Sequence, residues 1–227
     1  AGLRSLDFLV VCDFFLSETA AEADLILPVT QWAEEEGTLT NLEGRVLRRR
    51  RALAPPPGVR TELWIMTRLA EALDAPSTFS EDPETVFEEL RLASDGCTAD
   101  YRGATWDRIE AEYGLFWPIP EEGHSGTPRL YEGGTFFHPD GKARFHAVPF
   151  RESAEVVDDE YPIWLTTGRV VSQYLSGTQT RRIASLVDQY PEPLCEMHPQ
   201  LAERLTVADG DHVIVTSRRG TMTLPAH

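Results

Sequence analysis

The chain has 227 residues, enough for one large domain or two small ones, and its 41% hydrophobic content can supply a sizeable core. Its 37 acidic residues outweigh 21 basic ones, for a net charge of -16, which argues against a nucleic-acid partner because phosphate contacts need clustered Lys and Arg. No apolar run approaches the roughly 20 residues of a membrane span, and the one basic run, Arg48 to Arg51, reads as a solvated edge or a contact to another part of the protein.

The chain starts at Ala1-Gly2 without a Met and stops at His227 directly after a strand-like run, so it reads as part of a longer polypeptide. Leu6 to Val11 is an apolar run ending at Cys12-Asp13, the pattern of a buried strand with a polar carboxyl end. Ser17 to Ala23 can form a short helix with Ser17 as cap, and Asp24 to Leu27 is a second strand stopped by Pro28. Strand, short helix and strand in this space predict part of an open parallel α/β sheet, whose ligands bind outside the carboxyl ends of the strands.

Trp32 to Arg51 breaks into short strands around Gly37 and Gly44. Pro55 to Gly58 is a stiff linker. Thr61 to Leu73 is an amphipathic helix with Leu63, Met66, Leu69, Ala70 and Leu73 on one face. Pro83 to Leu92 is a second helix, capped by Asp82 with Pro83 at its first position. Trp106 to Tyr113 can form a third. Phe136 to Phe145 encloses the turn Pro139-Asp140-Gly141 between two short strands. The acidic segment 151–160 marks the boundary between a first domain, 1–150, and a second, 161–227. There Ile163 to Thr166 reads as a strand ended by Gly168, and Pro199 to Leu205 as a short helix. His212 to Ser217 and Thr221 to Leu224 read as a hairpin suited to a β-barrel. The expected fold is therefore α/β, a partial open parallel sheet with helices, followed by the start of a mainly β, barrel-like domain.

Several classes of chemistry are missing. Cys12, Cys97 and Cys195 are too far apart for an iron–sulfur cluster, which needs four thiolates at set spacings. They are expected as reduced thiols, two or more of them buried. The six histidines are scattered without metal-ligand spacing, so no metal ligands are assigned, and no catalytic residue stands out. The densest polar segment is Thr166-Thr167-Gly168-Arg169, then Gln173-Tyr174, then Ser176 to Arg182. Gly168 lets the backbone approach a ligand, and Arg169 can bond an anionic or polar heterocyclic group in bidentate fashion. The same composition also suits a capped loop with solvated arginines. Asp13, at a strand end, can accept two N–H donors from a guanine edge, hold a ribose hydroxyl, or simply cap a helix.

Four segments in order resemble the molybdopterin oxidoreductase family, which contains nitrate reductases and formate dehydrogenases. They are Glu18-Thr19-Ala20 with Ala23 to Pro28, Trp32 to Thr38 with Thr40-Asn41, Tyr161-Pro162 with Leu165 to Arg169, and Asp209 to Asp211 with Val213. The resemblance covers nearly the whole chain. It implies that residues up to about 150 end an α/β domain gripping one guanine dinucleotide, and that residues from about 160 begin a β-barrel domain covering the pterins. The implied cofactor is bis-molybdopterin guanine dinucleotide with molybdenum; a [4Fe-4S] cluster and the metal ligand are implied only in an N-terminal part outside this chain.

Carried over position by position, Cys12, Asp13 and Glu62 match cofactor-binding residues. So does the loop Thr167, Gly168, Arg169, Val170, Val171, Ser172, Gln173, Tyr174, Leu175 and Ser176. The chain departs from the family at Glu35, where related reductases carry Lys, at Glu62, where they carry Asp, and at Tyr174-Leu175, where Trp-His is frequent. Asn41 to Val46 and Gln173 to Arg182 resemble bacterial assimilatory nitrate reductases, which implies nitrate reduction in the cytoplasm with an electron-donor protein or reductase subunit as partner. Formate dehydrogenases have similar stretches, and a non-catalytic cofactor-binding subunit is the alternative from another class; the full reading frame discriminates it.

Overall fold

The computed structural model describes residues 2–227. These form two compact units, one through His146 and one comprising Ala147–His227. The division lies just ahead of the acidic segment expected as the linker.

In the first unit, β1 (Val10–Asp13) and β2 (Leu25–Pro28) pair in parallel, with Val10 opposite Leu25 and Asp13 opposite Pro28. The strand begins later than its apolar run. Ahead of it the Leu9 amide donates to the Asp24 carboxylate at 2.7 Å, so this side chain takes the place of a ladder bond. The helix expected over Ser17 to Ala23 is a single 3₁₀ turn, Ala20–Glu22. Beyond the strand ends, Val29 bridges Arg60 in parallel, and the Thr30 amide donates to the Arg60 carbonyl at 3.1 Å. Three chain segments therefore run side by side and end at one carboxyl edge.

β3 (Gly37–Thr40) and β4 (Arg45–Arg49) form an antiparallel hairpin in which Thr40 faces Val46, and β5 (Leu115–Phe116) adds to β4. Asn41 and Gly44 make the hairpin turn. The Asn41 side chain accepts from the Glu43 and Arg45 amides, both at 3.0 Å, and Gly44 takes a φ of 81° that a side chain would disfavour.

The helices follow their capping chemistry. α1 (Glu62–Ala72) starts where the Thr61 hydroxyl accepts the Trp64 amide, α2 (Pro83–Ala93) where Asp82 accepts the Thr85 amide, and α3 (Trp106–Ala111) where Thr105 accepts the Arg108 amide. The core is Val46, Phe87, Ala104, Ile109, Leu115 and Ile119, walled by Tyr101, Trp106 and Trp117. α1 differs from its expected orientation. Ile65 and Thr67 are its buried residues, whereas Met66, Leu69 and Leu73 of the apolar stripe are exposed, Leu73 to 70%. Periodicity identified an apolar face, of which Leu63 and Ala70 are half-buried and Met66, Leu69 and Leu73 lie exposed.

Two further expectations are corrected. Phe136 to Phe145 contains no strands. One bond, the Phe136 amide to the Gly141 carbonyl at 2.9 Å, closes a tight loop, and Tyr131 stacks on Phe136 with centroids 4.7 Å apart. The cysteines are not buried: Cys12 and Cys97 are exposed and Cys195 is half-buried.

The second unit has α4 (Ala184–Gln189), which the sequence reading did not predict, α5 (Pro199–Leu205), and a hairpin of β6 (His212–Ser217) and β7 (Gly220–Pro225). Ile214 pairs with Thr223 and Ser217 with Gly220 around the Arg218-Arg219 turn. Cys195 bridges Ala226 beside the end of β7. This is a strand pair with one flanking bridge, and no barrel closes among the described residues. Ile163 to Thr166 is not a strand, because no neighbouring segment supplies a ladder. The acidic boundary segment is held instead by the hairpin tip. Arg218 pairs with Asp158 and lies over the Tyr161 ring, 4.6 Å from its centroid, and Arg219 bonds Glu155 at 2.7 Å.

Candidate functional site

Cys12 and Asp13 lie at the carboxyl edge of the first unit's parallel strands, and Glu62 lies just past the neighbouring Arg60 segment. Cys12 and Asp13 are the last two residues of β1, and Glu62 opens α1 two residues after the bridge at Arg60. This is where an open parallel arrangement leaves room for a ligand. The Asp13 carboxylate is already engaged locally. One oxygen accepts the Phe14 and Phe15 amides at 2.8 and 3.2 Å, and the other accepts the Ser17 hydroxyl at 2.6 Å. Asp13 thus fixes the turn after β1 and does not cap a helix. Glu62 is exposed in the first turn of α1, where helix dipole and amides favour a negative charge.

Glu35 lies on the same unit and does not face outward as a free acid. It bonds Arg49 at 2.6 Å and accepts the Thr30 hydroxyl at 2.9 Å. The charge reversal at this position is therefore compensated inside the chain.

In the second unit, the residues from Ile163 to Arg169 make no backbone–backbone hydrogen bond among the described residues. Gly168 has nothing within 4 Å of the place where a Cβ would stand. Thr167, Arg169, Tyr174, Leu175 and Ser176 are exposed, Val171 reaches 106%, and Val170 is half-buried. This segment offers open amides and carbonyls, hydroxyls and a guanidinium along one stretch. Such a donor set fits a flat heterocycle with alternating donors and acceptors and its phosphate tail.

Beyond Arg169 the loop is fastened. Ser172 bonds the Gln189 side chain at 3.1 Å, Gln173 reaches the Thr180 hydroxyl at 2.8 Å, and the Tyr174 amide donates to the same hydroxyl at 3.1 Å. Thr180 and Gln189 were not singled out from the sequence. Thr180 lay inside a recognised polar run, but its bonds to Gln173 and Tyr174 depend on the chain turning back at Leu175 and Gly177. No group of three or more His, Cys, Asp or Glu residues among the described residues could hold a metal ion.

With these features in place, comparison with known proteins defines the class. Residues 1–72 match the molybdopterin oxidoreductase family model, and residues 163–227 match the molydopterin dinucleotide binding domain. The chain belongs to the molybdopterin oxidoreductase family, and the bis-molybdopterin guanine dinucleotide carrying molybdenum follows as its cofactor. It is 44% identical over 227 residues to the F420-dependent formate dehydrogenase subunit alpha of Methanocaldococcus jannaschii, covering 99% of this chain and 33% of that protein. It is also 44% identical to the assimilatory nitrate reductase catalytic subunit of Bacillus subtilis, covering 98% of this chain and 32% of that one. The chain thus spans about one third of the length of these relatives. The acetylene hydratase of Pelobacter acetylenicus shares the fold, with a TM-score of 0.69 at 20% identity over 100% of this chain and 32% of that one.

Proposed function

We propose that this chain is the cofactor-seating part of a nitrate-reducing molybdenum enzyme. The observation that carries the reading is the open backbone from Ile163 to Arg169 with Arg169 at its end, in a segment of matching family sequence. Cys12 and Asp13 at the carboxyl edge, with Glu62 just past the Arg60 segment, serve the guanosine end of one dinucleotide, whose guanine edge presents adjacent N–H donors suited to a carboxylate. Thr167 to Ser176 serve a pterin: Arg169 satisfies two acceptors at once, and Gly168 allows its backbone to come close. The bound group supplies the two-electron chemistry by which nitrate, two electrons and two protons give nitrite and water, while the protein binds and orients it.

Nitrate is favoured by the Asn41 to Val46 turn and the Gln173 to Arg182 stretch, and by the Bacillus subtilis relative. Formate oxidation is the second reading, supported by a relative of equal identity. A cytoplasmic enzyme with a [4Fe-4S] cluster in its N-terminal part and a separate electron donor completes the proposal. No helix among the described residues is long and apolar enough to cross a membrane. The test is the full-length enzyme with reduced viologen and nitrate. Nitrite formation supports the proposal, and formate oxidation with nitrate untouched replaces it with the second reading.

A further inference from the structure

The loop proposed to read the pterin is organised by side chains outside it. Three successive residues, Ser172, Gln173 and Tyr174, are each tied to the segment from Thr180 to Gln189. Thr180 is the centre: its hydroxyl accepts the Tyr174 backbone amide at 3.1 Å and donates to the Gln173 side-chain oxygen Oε1 at 2.8 Å. The Gln173 amide nitrogen then donates to the Leu186 carbonyl at 3.4 Å. Gln189 accepts the Ser172 hydroxyl at 3.1 Å and anchors its own amide on the Ser185 carbonyl at 3.0 Å, within α4.

These bonds have a conformational consequence. Leu175 has a φ of 51°, in the left-handed region that a branched apolar side chain avoids, and Gly177 follows at 74°. The turn closes through the Gly177 amide and the Tyr174 carbonyl at 2.9 Å. Such a conformation persists when the surroundings over-determine it. Here Thr180 fixes the residue just before Leu175 through both backbone and neighbouring side chain. The outcome is a loop in which the Ser172 hydroxyl, the Gln173 side chain and the Tyr174 amide are bonded to the segment that follows, while the Tyr174 ring, Arg169 and Val171 stay exposed.

We infer that Thr180 and Gln189 are positioning residues for cofactor binding: they hold the Ser172–Leu175 turn in one shape, so that Arg169 and the open backbone before it meet a pterin already arranged. This inference rests on the proposed reading of the loop as a pterin contact. Ligand-orienting partners of this kind cost about ten- to a hundred-fold in affinity when removed, and a preformed loop avoids the ordering cost on binding.

The experiment compares Thr180→Val, Thr180→Ser, Gln189→Met and Arg169→Ala in the full-length enzyme. It reads molybdenum and pterin retained per polypeptide during dialysis, hydrogen-exchange protection of the Tyr174 amide in the cofactor-free protein, and the global unfolding midpoint. Thr180→Val keeps the shape but loses both bonds. It is expected to speed cofactor loss about tenfold and to expose the Tyr174 amide, at an unchanged unfolding midpoint. Thr180→Ser keeps the hydroxyl and should restore retention. Retention equal to wild type in Thr180→Val, with cofactor lost from Arg169→Ala, overturns the positioning inference and leaves the pterin reading standing. Wild-type retention in both variants overturns the reading and the inference together. If Thr180→Val does not yield folded enzyme, Gln189→Met decides by the same readouts, since it removes only the hold on Ser172 and a bond within α4.

Discussion

Glu35 and Arg49 meet at 2.6 Å across the first unit, and the Thr30 hydroxyl closes the same carboxylate at 2.9 Å. Both charged side chains are largely shielded, so the pair sits between the weak surface case and the costly buried one. Glu35→Lys restores the residue type that related reductases carry, yet it sets two cations against each other here. It should destabilise the protein by about 1–3 kcal/mol, read as a lower denaturant midpoint. The exchange Glu35→Lys with Arg49→Glu should recover most of the loss. If the single variant is as stable as wild type, the pair has no energetic role.

Gly103 and Gly168 make a second, contrasting pair. The Gly103 amide donates to the Ile119 carbonyl at 2.6 Å, and a Cβ at this position would run into the Glu121 carbonyl. Gly103→Ala must displace backbone and should cost about 1–3 kcal/mol or more. Gly168 has open space around it, and its φ is not positive. Gly168→Ala should therefore leave the thermal midpoint within about 1 °C, in keeping with a surface effect below 0.5 kcal/mol. Cofactor retention should nevertheless fall, because a methyl group holds the pterin away. Differential scanning calorimetry and metal content separate the two effects.

The contrast shows what the sequence could express. Local chemistry was legible: the Asp82 cap, the turn at Gly44 and the β6–β7 hairpin depend on residues within a few positions of one another, and the parallel pair that ends at Asp13 joins two runs of plain apolar composition. Features set by distant partners were not. Ile163 to Thr166 has a strand composition but no ladder neighbour among the described residues, and the stripe Met66, Leu69 and Leu73 is apolar but exposed. Asp13 stood at the predicted strand end, while its bond to Ser17 depends on the turn that brings the hydroxyl back. Gln189 escaped notice because nothing in its spacing reveals that α4 folds against the loop.

The latch between Asp158 and Arg218 gives a pH prediction. The Tyr161 amide donates to the Asp158 carboxylate at 2.7 Å, and this bond, followed by Arg218, holds the carboxyl below its ordinary range. A carboxyl lowered in the folded state contributes stability above its unfolded value, about 3.9, and loses it as pH falls through the folded value. The hold of the hairpin tip on the 155–161 segment should therefore be intact at neutral pH and released only in acid. Asp158→Asn should abolish this acid-dependent step while the β6–β7 hairpin persists. NMR titration of the Tyr161 amide follows it directly, and an Asp158→Asn profile identical to wild type would assign the transition to other carboxyls.

Arg169 carries the most direct test of the proposed function. It follows Gly168 at the end of a segment without backbone pairing, and its guanidinium is exposed. A guanidinium presents a planar fork that can bond two acceptors on the rigid edge of a pterin, whereas an ammonium offers a single point of charge. Arg169→Lys in the full-length enzyme keeps the charge and removes the fork. Loss of a charge-assisted bond to a bound cofactor costs about 1.5–3 kcal/mol, about ten- to a hundred-fold in occupancy. A solvated loop arginine would change stability and binding by no more than about 0.5 kcal/mol. The measurement is molybdenum per polypeptide at limiting cofactor, with circular dichroism as the folding control. A folded variant with depleted molybdenum places Arg169 on the cofactor. Full occupancy with full activity would remove it from the site.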